Sequence, residues 1–126
     1  MSFQTDRNRV RGLGTAHEGV RHWWHQRLTS IALVPLALAF LFPFARTLGH
    51  DHATVLGLYR QTEHALVAVL FIGVSFLHLA QGLQVVIEDY VHGKAARTTL
   101  LIFNTLICGL FAVAGIFAVA KIAFSG

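Results

Sequence analysis

Residues 78–91, HLAQGLQVVIEDYV, set an imidazole, side-chain amides, two adjacent carboxylates and a phenol at the end of a strongly apolar stretch. At about 100° per residue, His78, Gly82, Val85 and Asp89 fall on one stripe of a helix. The step from His78 to Asp89 returns to within about 20° over about 16 Å of axis. A neutral imidazole on such a stripe has three uses: it hydrogen-bonds a neighbouring helix, relays protons or binds a metal. Gly82, one turn on, clears a flat area beside it, as a porphyrin edge or a closely packed helix requires. The residues alone leave these readings open.

The elements that must position this stripe follow from composition. Of 126 residues, 55% are hydrophobic and 13% charged, and the mean hydropathy is +0.60, which is membrane composition. A hydrocarbon core of about 30 Å needs about 20 mainly apolar residues per helical span. Three stretches qualify, at about 26–47, 63–87 and 99–123. The expected fold is all-α, an integral membrane protein of three transmembrane helices forming a single membrane-anchor domain over 1–126. Residues 1–25 are its cytoplasmic N-terminal segment. The connections, 48–62 and 88–98, are too short for a soluble domain, so any reaction is embedded in the membrane or shared with partners. There is no internal repeat, low-complexity tract or nucleotide-binding glycine pattern. The single cysteine, Cys108, lies mid-span without a partner and reads as a packing residue.

A net charge of +4 raises nucleic acid as a partner, and the placement of the charges argues against it. Arg7, Arg9, Arg11, Arg21 and Arg27 precede or open the first span, and Lys94 and Arg97 lie in the second connection; only Arg46, Arg60 and Lys121 occupy the other side. By the positive-inside rule the N-terminus and second connection face the cytoplasm. The first 25 residues are too polar, and the following apolar run too long, for a cleaved signal peptide, so the first span is expected to be retained.

Within this topology His78 lies near mid-bilayer and Asp89-Tyr90 at the cytoplasmic boundary. An ionisable group left unpaired at such depth costs on the order of 2 to 3 kcal/mol or more. His17, His22, His25 and His92 belong to the cytoplasmic side, and His50, His52 and His64 to the other. A six-coordinate haem on His78 would therefore draw its second axial ligand from another polypeptide. A haem held by two histidines is an electron carrier, with no coordination position open to substrate. In the first span, Trp23 and Trp24 fit the interfacial aromatic belt beside His22, His25 and Arg27, and Pro35 suggests a kink. Arg27 lies where it could reach an anionic group just below the interface. In the third span, Gly109 and Gly115 with Ala112, Ala114 and Ala118 suit close helix packing, and Asn104 reads as satisfying a backbone or headgroup.

RLTSIALV at 27–34 and HLAQGLQVVIEDYV at 78–91 resemble segments of the smaller hydrophobic membrane-anchor subunit of succinate:quinone oxidoreductase, respiratory complex II. The pattern is an arginine opening the first span, then a histidine, a glycine four residues on, and an Asp-Tyr pair eleven and twelve residues after the histidine. Arg27, His78, Gly82, Asp89 and Tyr90 occupy every position. HWWHQR at 22–27 is similar to α-proteobacterial members, and the likeness runs from about residue 12 onward. Glu88 adds a charge outside the pattern.

The resemblance implies that His78 is one axial ligand of haem b, its iron shared with a histidine of a second, larger anchor subunit, so that this chain is half of a haem-binding helical bundle. It implies that Arg27 pairs a haem propionate, that Gly82 packs against the haem, and that Tyr90 donates to a quinone carbonyl, with Asp89 orienting that site and tuning its protonation. It further implies a bacterial inner membrane location, ubiquinone as substrate, and a flavoprotein and an iron-sulfur subunit holding FAD and the clusters. Electrons from succinate oxidation would reach the quinone through those subunits. A quinol:fumarate reductase anchor has the same architecture run in reverse. A non-haem proton-coupled small membrane protein, with His78 and Asp89 as relay groups, is the rival from another class.

Overall fold

The structure, a computed structural model, describes residues 18–125. The basic residues Arg7, Arg9 and Arg11, and the part of the N-terminal segment that holds them, lie outside the described residues. Four helices follow in order: α1 (Glu18–Thr47), α2 (His52–Arg60), α3 (Thr62–Tyr90) and α4 (Lys94–Phe124). Three of them, α1, α3 and α4, are long and apolar enough to cross a membrane. The three expected spans are thus present as helices, and each helix continues past its apolar stretch into polar sequence. The first begins at Glu18, so HWWHQR is helical. α1 also runs on through Pro35 and Pro43, although a proline removes the amide that would bond the carbonyl four residues back.

The first connection, expected only to be too short for a soluble domain, contains α2. Asp51 caps it: the carboxylate accepts the Thr54 amide at 3.1 Å, and the Thr54 hydroxyl donates to the same oxygen. An aspartate at the N-cap satisfies amides that the first turn leaves unbonded. Gly49, with φ of 83°, turns the chain out of α1, a left-handed conformation that favours glycine. The second connection is shorter than read from sequence: Val91, His92 and Gly93 alone separate α3 from α4, and Glu88, Asp89 and Tyr90 form the last turn of α3.

α3 is the centre of the molecule. It packs against α1 on one flank and α4 on the other, while α1 and α4 do not meet among the described residues, and α2 touches all three at one end. Ring stacking marks these seams. Phe40 of α1 lies 4.7 Å from Phe71 of α3 and 6.3 Å from Tyr59 of α2, and Phe76 of α3 lies 6.2 Å from Phe111 of α4.

The buried positions are small or polar: Ala65, Ala68, Cys108, Thr29, Thr47 and Asn104. Large apolar side chains such as Phe42, Phe103, Leu106 and Phe117 point outward. This is the reverse of a water-soluble core, and it suits hydrocarbon. Lipid supplies no hydrophobic force between helices, so close packing of small residues and hydrogen bonds hold them together. Asn104 of α4 donates to the Ala80 carbonyl of α3 at 2.9 Å and accepts from the Cys108 thiol at 3.5 Å. The backbone role expected for Asn104 and the packing role expected for Cys108 are both seen. Hydroxyls that face apolar surroundings bond back to their own helix, as Ser30 does to the Gln26 carbonyl at 2.8 Å.

Candidate functional site

His78 lies twelve residues before the end of α3, about 18 Å along the axis at 1.5 Å per residue. Its Nδ1 is 2.9 Å from the Thr29 hydroxyl of α1. The same hydroxyl donates within reach of the Gln81 amide oxygen at 3.3 Å, and of the His25 and Gln26 carbonyls, each at 3.0 Å. Thr29 is buried at 8% exposure, so water does not compete for its oxygen. The histidine that the sequence singled out is therefore tied to its neighbouring helix by one ring nitrogen. Its Nε2 has no partner among the described residues.

Gly82 stands one turn beyond His78. A Cβ built there would meet nothing within 4 Å, so no contact within this chain requires a glycine. The space beside the imidazole is open. A flat group, or another subunit laid against α3, is what a missing side chain at this position accommodates.

The remaining expected residues are not gathered around His78. Arg27 is exposed, and its guanidinium lies 5.0 Å from the centre of the Trp23 ring, a cation–π contact one turn back along α1. It is two residues from Thr29, about 200° around the helix, and so lies off the face that meets α3. Asp89 and Tyr90 are exposed in the last turn of α3, and Tyr90 is 79% exposed. Asp89 stays nearly in line with His78, whereas Tyr90 is about 120° around the helix to one side.

On the other side of that line, a cleft of about 490 Å³ between α1 and α3 is lined by Arg21, His22, His25, Gln81, Gln84 and Glu88. Gln84 donates to Glu88 at 2.9 Å, and the Nε2 of His22 is enclosed without a partner among the described residues. Glu88, which stands outside the sequence pattern, thus belongs to a polar notch on the flank opposite Tyr90. Among the described residues no three His, Cys, Asp or Glu side chains converge as a metal site.

Thr29 and Gln81 were not legible as site residues. Their one signal was polarity inside apolar runs, since which residue of α1 meets His78 depends on the register between antiparallel helices.

The family described as succinate dehydrogenase/fumarate reductase transmembrane subunit matches residues 1–118. The chain is 31% identical to the succinate dehydrogenase hydrophobic membrane anchor subunit of Paracoccus denitrificans, covering 96% of this chain and 93% of that one. It is 32% identical to the subunit of the same name from Rickettsia conorii over 92% and 93% of the two chains. A third relative, the succinate dehydrogenase membrane anchor subunit of Reclinomonas americana, is 37% identical over 63% of this chain and 68% of its own. No solved structure matches the chain at a significant level.

Proposed function

The chain belongs to the family of transmembrane subunits of succinate dehydrogenase and fumarate reductase, and from that membership we propose that it anchors a succinate:quinone oxidoreductase, co-ligating haem b and forming part of the quinone-reduction site. The observation that carries the reading is the state of His78: Nδ1 is held by Thr29 at 2.9 Å, while Nε2 is unpartnered among the described residues, beside the open surface at Gly82. A metal-bound imidazole needs that division, one nitrogen donating to a fixed acceptor and the other free to coordinate.

The donor set fits a haem shared between two chains. His78 would hold the iron from this chain, and a second anchor subunit would supply the other ligand. Arg27 has an exposed guanidinium at the apolar boundary, suited to a charge-assisted bond with a propionate. Such a group would supply storage and transfer of single electrons.

At the end of α3 the exposed Tyr90 phenol donates to a quinone carbonyl, and the Asp89 carboxylate beside it orients that site and tunes its protonation. Quinone reduction takes up two electrons and two protons, so it belongs where both arrive, at the face on which the iron-sulfur and flavoprotein subunits dock. Those subunits carry the clusters and FAD. The N-terminus and the short α3–α4 turn lie on the cytoplasmic side of a bacterial inner membrane, as the positive-inside rule requires. Turnover runs from succinate to quinone, a direction that the relatives' name, succinate dehydrogenase, supports, and ubiquinone is the quinone that the resemblance implies.

Reduced-minus-oxidised absorption spectra of the purified native complex test this reading. A b-type signal is expected, and His78→Ala should abolish or severely perturb it. Unchanged haem content in that variant would exclude His78 as a ligand.

A further inference from the structure

We infer that Thr29 is the positioning residue that sets the tautomer and donor strength of the His78 imidazole, accepting the Nδ1–H proton so that Nε2 presents its lone pair outward. The inference rests on the haem-ligation reading above and assigns a role to a residue that is not one of the five pattern positions.

The argument is a count of protons. A threonine hydroxyl has one hydrogen to donate and lone pairs with which to accept. Three acceptors surround it: the His25 carbonyl at 3.0 Å, the Gln26 carbonyl at 3.0 Å and the Gln81 amide oxygen at 3.3 Å. Its proton is committed without His78. What remains for Nδ1, at 2.9 Å, is an oxygen lone pair. A neutral imidazole carries one N–H, and placing it on Nδ1 leaves Nε2 as the base.

The surroundings strengthen the assignment. Thr29 is 8% exposed, in a helix whose outer face meets lipid, so no solvent molecule replaces it as the acceptor. Its oxygen is fixed by α1, and the ring by α3. The bond therefore fixes the ring's rotation as well as its tautomer. An N–H polarised towards an oxygen makes the opposite nitrogen a stronger donor, which favours the more positively charged, oxidised iron. The back-bond of Thr29 to α1 alone would predict none of this.

The test uses the intact complex and reads the haem midpoint potential by redox titration, with haem content measured alongside. Thr29→Val keeps volume and removes the oxygen; Thr29→Ser keeps the oxygen. A hydrogen bond of ordinary strength contributes about 0.5 to 1.5 kcal/mol. Thr29→Val should accordingly shift the haem about two- to thirteenfold towards the reduced form at a given ambient potential, the upper figure being about 65 mV for a one-electron couple. Thr29→Ser should stay at the native potential. Loss of haem in Thr29→Val with native haem in Thr29→Ser supports the same role. An unchanged or lowered potential in Thr29→Val overturns it, as does Thr29→Ser behaving like Thr29→Val. His78→Ala separates the two levels: if that variant keeps native haem, the ligation reading fails, whereas haem loss there with a native Thr29→Val refutes the role of Thr29 alone.

Discussion

Gly115 of α4 faces Ile72 of α3 so closely that a Cβ on the glycine would sit 3.1 Å from Ile72 Cγ2 and 3.5 Å from its Cδ1. Small residues at such crossings let two backbones approach. Gly115→Leu is expected to push α4 off α3 and lower stability by about 1 to 3 kcal/mol, the usual cost of overpacking. Gly109→Leu is the control, because a Cβ there meets nothing within 4 Å. Thermal unfolding of the two variant complexes, followed by circular dichroism, should show the first melting earlier and the second near native.

Gly82 poses the opposite case. A side chain at this position has room within the chain, so Gly82→Leu should leave the helices intact and obstruct whatever lies against α3. Haem content of the purified complex is expected to fall several-fold while helical content stays the same. Native haem in Gly82→Leu would show that the open surface is not a haem face.

Tyr90→Phe keeps the ring and removes only the hydroxyl. Losing a donor to a partly buried carbonyl costs about 1 to 3 kcal/mol, or about five- to more than a hundredfold in the step that uses it. Quinone reduction should fall accordingly. Haem content, and succinate oxidation by an artificial acceptor that takes electrons upstream, should remain near native. Unchanged quinone turnover would remove Tyr90 from the site.

Asp51 offers a pH-dependent test outside the membrane spans. Hydrogen bonds from the Thr54 hydroxyl and then its amide hold the Asp51 carboxyl below the ordinary value of 3.8. A carboxyl depressed in the folded state stabilises above its unfolded pKa, and that contribution is lost as pH falls through the folded one. Protection of the Thr54 amide against hydrogen exchange should therefore weaken at acid pH beyond the intrinsic trend. In Asp51→Asn, which still caps but does not titrate, the extra weakening should vanish.

The three spans were legible because about 20 apolar residues in a row have few other uses. The stripe of His78, Gly82 and Asp89 was legible because helical periodicity is local. α2 was missed: nine residues with no buried side chain are too few to register as an apolar span, and its best clue was the Asp51–Thr54 spacing. The ends of α1 and α3 ran beyond their apolar cores, since Glu18 and the Glu88–Tyr90 turn extend helices that the hydrocarbon already nucleates. Thr29 and Gln81 depended on the pairing of α1 with α3, a relation between distant segments that no local pattern holds. The polar notch at His22, Gln84 and Glu88 depended on it too.

The separation of α1 from α4 across α3 bears on the order in which the protein is made. Chains emerge N-terminal part first. Both partners of the Thr29–His78 bond come from the first two spans, joined through α2, and α4 contributes neither. The imidazole can thus be oriented as soon as the second span has entered the bilayer, before the third has joined it. A nascent chain at that stage already exposes a ready nitrogen, and α4 arrives afterwards on the far flank of α3, where it closes the structure without passing over the site.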